Sequence, residues 1–480
     1  MHLIRSEASL LLALLAAGAP AGATAGAPAH APLALHPDNP RYLLFRGKPA
    51  IIIGSGEHYG AVLNLDFDFV PYLEELRAHG LNHTRTFSGV YREIPGSFGI
   101  TDNPLAPLPD RYICPWARSA EPGYFDGGAK FDLARWDEAY FRRLRTFLAR
   151  ASECAVVVEL NLFCPFYEDA LWQASPMNAA NNVNGVGTCP RTEVYTLEHK
   201  DLLAVHEAVT RRIVRELNEF DNLYYEVCNE PYFGGVTRQW QDFIVSAISD
   251  EESRLPARHL ISMNIANGAA RVEEPNPAVS IFNFHYCVPP DAVAMNAHLE
   301  RPIGENETGF RGSADVTYRS EGWAFILAGG ALYSNLDYSF TPGHPRGDLL
   351  DYKSPGGGSP PLRRQLAILK EFIHGFDFTQ MSPDSAVLKG ELPQGLHARA
   401  LVQPGRAYAL YLHAAKPGER DFSGGVPLQL ALAPGAYIAE WLDPVSGRIV
   451  KSERVAAGES ATALAAPGFK DDLALRVVRQ

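Results

Sequence analysis

Two glutamates stand in settings that suit paired carboxyl chemistry. Glu230 lies in Asn229-Glu230-Pro231, and Glu305 follows Gly304 in Pro302-Ile303-Gly304-Glu305. Hydrolysis of an acetal between sugars needs two such groups on opposite sides of the bond. One donates a proton to the leaving oxygen, and the other, ionised, attacks or stabilises the anomeric carbon. Proximity of like charges and partial burial would separate their pKa values, leaving Glu230 protonated and Glu305 ionised. Glu307, two residues beyond Glu305, would face the same way in a regular strand and is the main rival for the ionised role. A catalytic metal is not expected, because the fifteen histidines and six cysteines form no His-Glu-x-x-His or close Cys/His ligand pattern. No cofactor motif is seen either. Gly185-Val186-Gly187 is a loop glycine pair and not a phosphate cradle.

The elements that would position these groups can be read from periodicity. Eight strand-like segments recur between residues 50 and 336: Ala50–Ser55, Leu81–Phe87, Cys154–Phe163, Leu223–Cys228, His259–Asn264, Val279–His285, Pro302–Glu305 and Ala331–Leu336. Between them run stretches of helical period. These are Leu133, Trp136, Tyr140, Leu144 and Phe147 behind Asp132; Leu202 to Leu217; and Trp240 to Ile248 behind Thr237. Runs such as Val156–Leu160 are apolar without alternation, as expected for parallel strands covered on both faces. Eight βα units indicate a (β/α)8 TIM barrel. The alternative, an open doubly wound sheet, would carry a Gly-rich phosphate turn after an early strand, and none is present.

In such a barrel the C-terminal strand ends carry the functional side chains. The polar residues there include Glu57 and His58 on strand one, Arg85 on strand two, and Glu159 and Asn161 on strand three. Asn229 and Glu230 end strand four, Asn264 and Asn267 strand five, His285 and Tyr286 strand six, and Asn335 and Asp337 strand eight. Expected substrate contacts are therefore Asn229, Arg85, His285, His58, Glu57, Asn161, Tyr286 and Asp337. Trp116, Tyr124, Phe166, Trp172, Tyr232 and Phe233 are further loop aromatics able to stack on sugar faces.

Over residues 45–345 the chain resembles the (β/α)8 retaining glycoside hydrolases, in particular the cellulase-like glycoside hydrolase family 5. The resemblance rests on Asn229-Glu230-Pro231 at strand four and Gly304-Glu305 at strand seven, with Arg85 and His285 in matching places. It implies that Glu230 is the acid/base, Glu305 the nucleophile, Asn229 a ligand of the sugar 2-hydroxyl, and Arg85 a partner that keeps Glu305 ionised. Two departures stand out. The family's strand-six tyrosine comes one residue early, as Tyr286, and strand eight has Asn335-Leu336-Asp337-Tyr338 in place of the usual tryptophan.

The organisation around the barrel follows from composition. Arg5, then the apolar run Leu10–Ala17, then Ala/Gly/Pro-rich residues to Ala31 read as a signal peptide over 1–31, with cleavage between Gly26 and Pro32. Eight apolar residues are too few to span a bilayer. A secreted or periplasmic protein, not membrane-bound after processing, is expected. The barrel, with a short hairpin (Leu33–Leu35, Tyr42–Phe45) before it, occupies 32–380. About seven short alternating segments punctuated by Pro-Gly turns read as a β-sandwich over 385–480. The run Glu440-Trp441-Leu442-Asp443-Pro444 resembles the collagen-binding-type C-terminal domains of bacterial glycosidase-like proteins. With 43 Lys and Arg against 55 Asp and Glu, the net charge of −12 argues against nucleic acid as a partner. Carbohydrate is the expected substrate. A carbohydrate-binding barrel without turnover, or an interaction protein using the tail, is the alternative. Cys114, Cys164 and Cys189 lie in or beside loops, where one disulfide could form, and oligomeric state is not legible.

Overall fold

A computed structural model describes residues 30–418 and 421–480, so the leader expected over 1–31 lies almost wholly outside the described residues. Eight parallel strands close into a barrel: β1 (Ile52–Gly56), β2 (His83–Phe87), β3 (Val157–Phe163), β4 (Leu223–Cys228), β5 (Leu260–Asn267), β6 (Ile281–His285), β7 (Ile303–Glu307) and β8 (Leu332–Leu336). β1, β2, β3, β4, β6, β7 and β8 are buried along their whole length, which accounts for runs without alternation.

The helices that cover the barrel are α1 (Phe69–Ala78), α2 (Glu138–Glu153), α3 (Lys200–Leu217), α4 (Arg238–Glu252), α5 (Asp315–Leu327) and α6 (Pro360–His374). Thr237 caps α4, its side chain accepting from the Trp240 amide, as the sequence suggested. The alternation of strand and helix is incomplete. No helix intervenes between β5 and β6, and only a short one (Asp291–Met295) precedes β7. The helix expected behind Asp132 begins later. Asp137 is its cap, and Ala129–Trp136 forms a hairpin with Trp116–Pro122. Phe131 and Leu133, buried two residues apart, obey a strand period there, not a helical one.

A three-stranded sheet (Ala34–Leu35, Leu43–Phe45, Lys48–Ala50) caps the N-terminal mouth of the barrel. Leu33, Leu43 and Ala50 form one apolar cluster with Tyr224 of β4 and with Ile52, Val157, Ile281 and Leu332, the first residues of β1, β3, β6 and β8. That end is plugged, so access is from the C-terminal end.

The tail holds a six-stranded antiparallel sheet and a three-stranded one. In the strand Ala407–Ala414, Ala407, Ala409 and Tyr411 join the barrel core, while Tyr408, Leu410 and Leu412 join a separate core beneath the smaller sheet. The larger sheet is thus covered on both faces, by α5 and α6 of the barrel on one side. Among the described residues, no helix is long and apolar enough to cross a membrane. All six cysteines are free.

Candidate active site

The carboxylates that meet at the open end of the barrel are Glu230 and Glu307. One oxygen of each, together with a ring nitrogen of His285, lies within 4.8 Å of the others. Each is fixed by hydroxyl donors. Glu307 accepts from the Tyr286 hydroxyl on Oε1 at 2.8 Å, and on Oε2 from the Tyr59 hydroxyl at 2.8 Å and Arg85 Nη1 at 2.9 Å. Glu230 accepts from the Tyr167 hydroxyl at 2.7 Å and the Tyr232 hydroxyl at 3.3 Å. His285 Nδ1 stands between them, 3.3 Å from Glu230 Oε1 and 3.4 Å from Glu307 Oε1. Its Nε2 has no partner in the protein, so Nδ1 is the nitrogen that donates to the two carboxylates.

Glu305, expected to be the ionised partner, is elsewhere. The strand pairing explains why: Phe284 of β6 pairs with Glu305, but the next residue, His285, pairs with Glu307. Asn306 is therefore an extra residue in β7, a bulge that breaks the alternation. Gly304 faces the interior, where an added Cβ would lie 2.4 Å from Asn283 Oδ1. Asn306 also faces in, donating to Glu159 and Glu226. Glu305 turns away from the cavity toward α5 and accepts the Cys287 amide at 2.8 Å. Burial, and then repulsion from Glu321, push its carboxyl well above the ordinary range. Glu307 emerges at the rim.

Tyr286 reaches Glu307 although it comes one position early. It lies just beyond β6 with φ of +50°, and this left-handed turn, not a bulge in β6, redirects its ring. Glu230 itself has φ of +37° at the end of β4, a strained conformation of the kind that collects at functional sites.

Beneath the pair, Arg85 is the central cation. Its guanidinium binds Glu307, the Asn229 side-chain oxygen at 2.7 Å, Glu159 at 3.0 Å and Glu226. Glu159 is held at about 2 because Arg85 and His83 outweigh its burial, whereas burial and the neighbouring Glu159 raise Glu226. Arg85 thus does for Glu307 what was expected of it for Glu305. For Glu230, burial alone would raise the carboxyl. The hydrogen bond and charge of His285, with the Tyr167 hydroxyl, instead hold it below the usual range. This is opposite to the direction expected of Glu230 from like-charge proximity and partial burial.

The cavity has a volume of about 430 Å³ and includes Glu230, Glu307, Asn229, His58, Tyr59, Tyr286, Asn267, Glu93, Tyr167 and Phe233 in its walls. His58, Asn229 and Tyr286 line it as anticipated, with His285 and Arg85 immediately behind. Three anticipated contacts do not. Glu57 folds back to accept the Gly60 and Ala61 amides. Asp337 pairs with Arg363 of α6 at 2.6 Å and accepts from Ser55. Asn161 lies inside the barrel, away from the cavity wall. Of the loop aromatics, Phe233 lines the cavity and Tyr232 touches Glu230, whereas Trp116, Tyr124, Phe166 and Trp172 are core. Tyr167 and Glu93 were not anticipated. Both sit in long loops, where no periodicity assigns a side chain to a face.

Three groups within 4.8 Å would also suit a cation geometrically. Here, however, tyrosine hydroxyls and a guanidinium already bond the carboxylate oxygens, a donor set suited to an acid–base pair.

No protein-family model matches this chain, and no curated protein matches it. Solved structures do. A glycoside hydrolase family 5 structure from Bacteroides vulgatus superposes with a TM-score of 0.60 at 14% identity, over 93% of each chain. A structure titled simply "Glycoside hydrolase" gives 0.58 at 13% identity, over 94% of this chain and 97% of the other. A family 5 mannosidase from Rhizomucor miehei, in complex with mannosyl-fructose, gives 0.50 at 11% identity over 72% of this chain and 98% of its own. The fold, barrel and C-terminal sheets together, is that of glycoside hydrolase family 5 structures.

Proposed function

We propose that this protein is an exported retaining glycoside hydrolase that cleaves β-glycosidic bonds of an oligo- or polysaccharide, with Glu307 as nucleophile and Glu230 as acid/base. The observation that carries this reading is the approach of one Glu230 oxygen to within 4.8 Å of one Glu307 oxygen, each carboxylate held by its own hydroxyl donors. Retaining enzymes keep their carboxyl groups roughly 5–5.5 Å apart, whereas inverting enzymes need ~6.5–9.5 Å to seat a water.

In the first step Glu307 attacks the anomeric carbon as the bond to the leaving oxygen breaks, giving a glycosyl ester. Tyr59, Tyr286 and Arg85 orient its oxygens and offset its charge. Glu230 donates to the leaving oxygen. Because the resting Glu230 is held low, it takes up a proton from solvent as the bound sugar desolvates it, and passes that proton to the leaving oxygen. In the second step Glu230 takes a proton from water, which attacks the ester and restores the configuration. Asn229, fixed between Arg85 and the Tyr167 hydroxyl, presents its amide to the sugar hydroxyl beside the reacting carbon.

Glu307→Ala should lose turnover of aryl β-glycosides by several orders of magnitude, and azide should restore it with formation of the inverted glycosyl azide. Glu230→Ala should keep the first step, read as kcat/KM, for activated aryl leaving groups and lose it for unactivated ones, while the second step slows, so that azide raises kcat on the activated substrate and gives a retained azide. A protein that binds these glycosides but turns none over would support the alternative, a carbohydrate-binding barrel. The leader-like segment supports export, and N-terminal sequencing of exported protein should find a start between Gly26 and Pro32.

A further inference from the structure

A second carboxylate–histidine pair lines the same cavity and has no part in the two-step reaction. Glu93, in the loop after β2, receives His58 Nε2 at 3.2 and 3.3 Å on its two oxygens, Asn103 Nδ2 at 2.5 Å and the Tyr91 hydroxyl at 3.4 Å. Burial would lower the His58 imidazole, but the charge and hydrogen bond of Glu93, with Glu307 and Glu57 nearby, raise it. A carboxylate has about four acceptor positions and these contacts use them all, but the Tyr91 contact is long, and His58 Nδ1, buried with no partner in the protein, is left for a sugar hydroxyl.

The place of this pair follows from the two catalytic groups. The acid must reach the leaving oxygen, so the leaving group lies on the Glu230 side, beside Tyr232, Phe233 and Asn267. The ring under attack lies on the opposite side, and there the wall continues from Glu307 through Tyr59, on which His58 stacks at 5.5 Å, to Glu93. The two sides differ in openness. Tyr232 and Phe233 are 37% and 44% exposed, whereas Glu93, Tyr91 and Leu105 are 2%, 1% and 1% exposed.

The closed side is also braced. Gly60, in the loop after β1, lies so near residue 104 that a Cβ there would sit 2.1 Å from the Pro104 carbonyl oxygen. Asn64 donates to that same carbonyl, and Thr101 and Asp102 are tied to Lys353 and Gly343 of the loop after β8.

We infer, building on the glycosidase reading, that this cavity accepts a single sugar ring on its closed side and that Glu93 and His58 bind hydroxyls of that ring, so that residues are released one at a time from the non-reducing end. A chain extending through the active site would have to pass the Glu93–Leu105 wall. A buried polar pair left unfilled by the wrong ring also provides discrimination, because polar groups desolvated without a partner are costly.

The test uses the full chain with 4-nitrophenyl β-D-glucoside, mannoside, galactoside and xyloside, and with the matching β-linked tetrasaccharides labelled at the reducing end. The expected result is that one aryl monoglycoside is hydrolysed and its tetrasaccharide shortens in sequence, labelled trimer before dimer. Glu93→Ala should lower kcat/KM on that monoglycoside by about 100-fold, the scale of a lost charged hydrogen bond, and Glu93→Gln by less. Labelled dimer or monomer appearing before trimer would overturn the inference, as would a folded Glu93→Ala protein with unchanged kcat/KM. The product order is measured on the unsubstituted protein and does not depend on either variant folding. If no glycoside or tetrasaccharide is cleaved at all, the glycosidase reading falls and this inference with it. Internal cleavage would remove only the inference.

Discussion

At the scale of single residues, the pair that meets across the cavity differs by one member from the pair that motif similarity favours. Gly304-Glu305 carries the resemblance, yet Glu305 is turned away and bonded to the Cys287 amide, and Glu307 takes the place beside Glu230. The two-residue spacing made Glu307 a rival, but spacing alone could not choose between residues that a regular strand would set on one face. Glu57 shows the same limit from the other direction. A carboxylate at the end of β1 reads as a substrate ligand, but it bonds its own loop and is raised to about 7 by burial, against the opposing amides of Ala61 and Gly60. A carboxyl whose folded pKa exceeds its unfolded value favours the folded state at low pH. That contribution fades as pH climbs from about 4.5 through 7, and the total corresponds to roughly 3 kcal/mol. Glu57→Gln loses one of the two amide bonds and, with it, the pH dependence of a buried titrating carboxyl. Its melting temperature relative to the unsubstituted protein should therefore rise between pH 5 and pH 8. A constant offset across that range would contradict the assignment.

At the scale of elements, the barrel strands and most of their helices were legible because burial on both faces writes itself as continuous apolar sequence, and helix stripes carry a period of their own. Thr237 and the stripe from Leu202 to Leu217 read correctly. What was not legible is local geometry that no side-chain period encodes. The extra residue Asn306 in β7 and the left-handed turn at Tyr286 decide which groups enter the cavity. Both are single-residue departures from regular backbone, and neither uses glycine or proline, the residues that usually announce such departures. The early start given to the helix behind Asp132 has a similar cause, since Leu133 and Trp136 match a helical spacing while belonging to a strand. The loop after β2, which supplies Glu93, Phe98 and Leu105 to the cavity, has no period to read, so its contributions came only with the structure.

At the scale of the whole molecule, the C-terminal sheet is fastened to the barrel by a buried ion pair as well as by apolar contact. Arg319 of α5 forms a two-point contact with Asp472, at 2.8 and 3.0 Å, and also bonds Gln365 of α6. Tyr411 donates to the same carboxylate at 2.7 Å and stacks on Trp323. Both charges are almost wholly enclosed. Asp472→Ala would leave a guanidinium buried without its anion, a change that costs about 3–5 kcal/mol. The variant should therefore melt several degrees lower than the unsubstituted protein by calorimetry, with the active-site carboxylates untouched. An unchanged transition would show that the tail and barrel are energetically independent.

The central claim is that Glu307 reacts covalently with the sugar. The most direct measurement is to trap the intermediate with an activated 2-deoxy-2-fluoro-β-glycoside, whose second step is slow, and to locate the added sugar by mass spectrometry of the digested protein. The account predicts one sugar per chain, attached to Glu307, and no label in Glu307→Gln. Label on Glu305, or time-dependent inactivation with no sugar attached near β7, would contradict it.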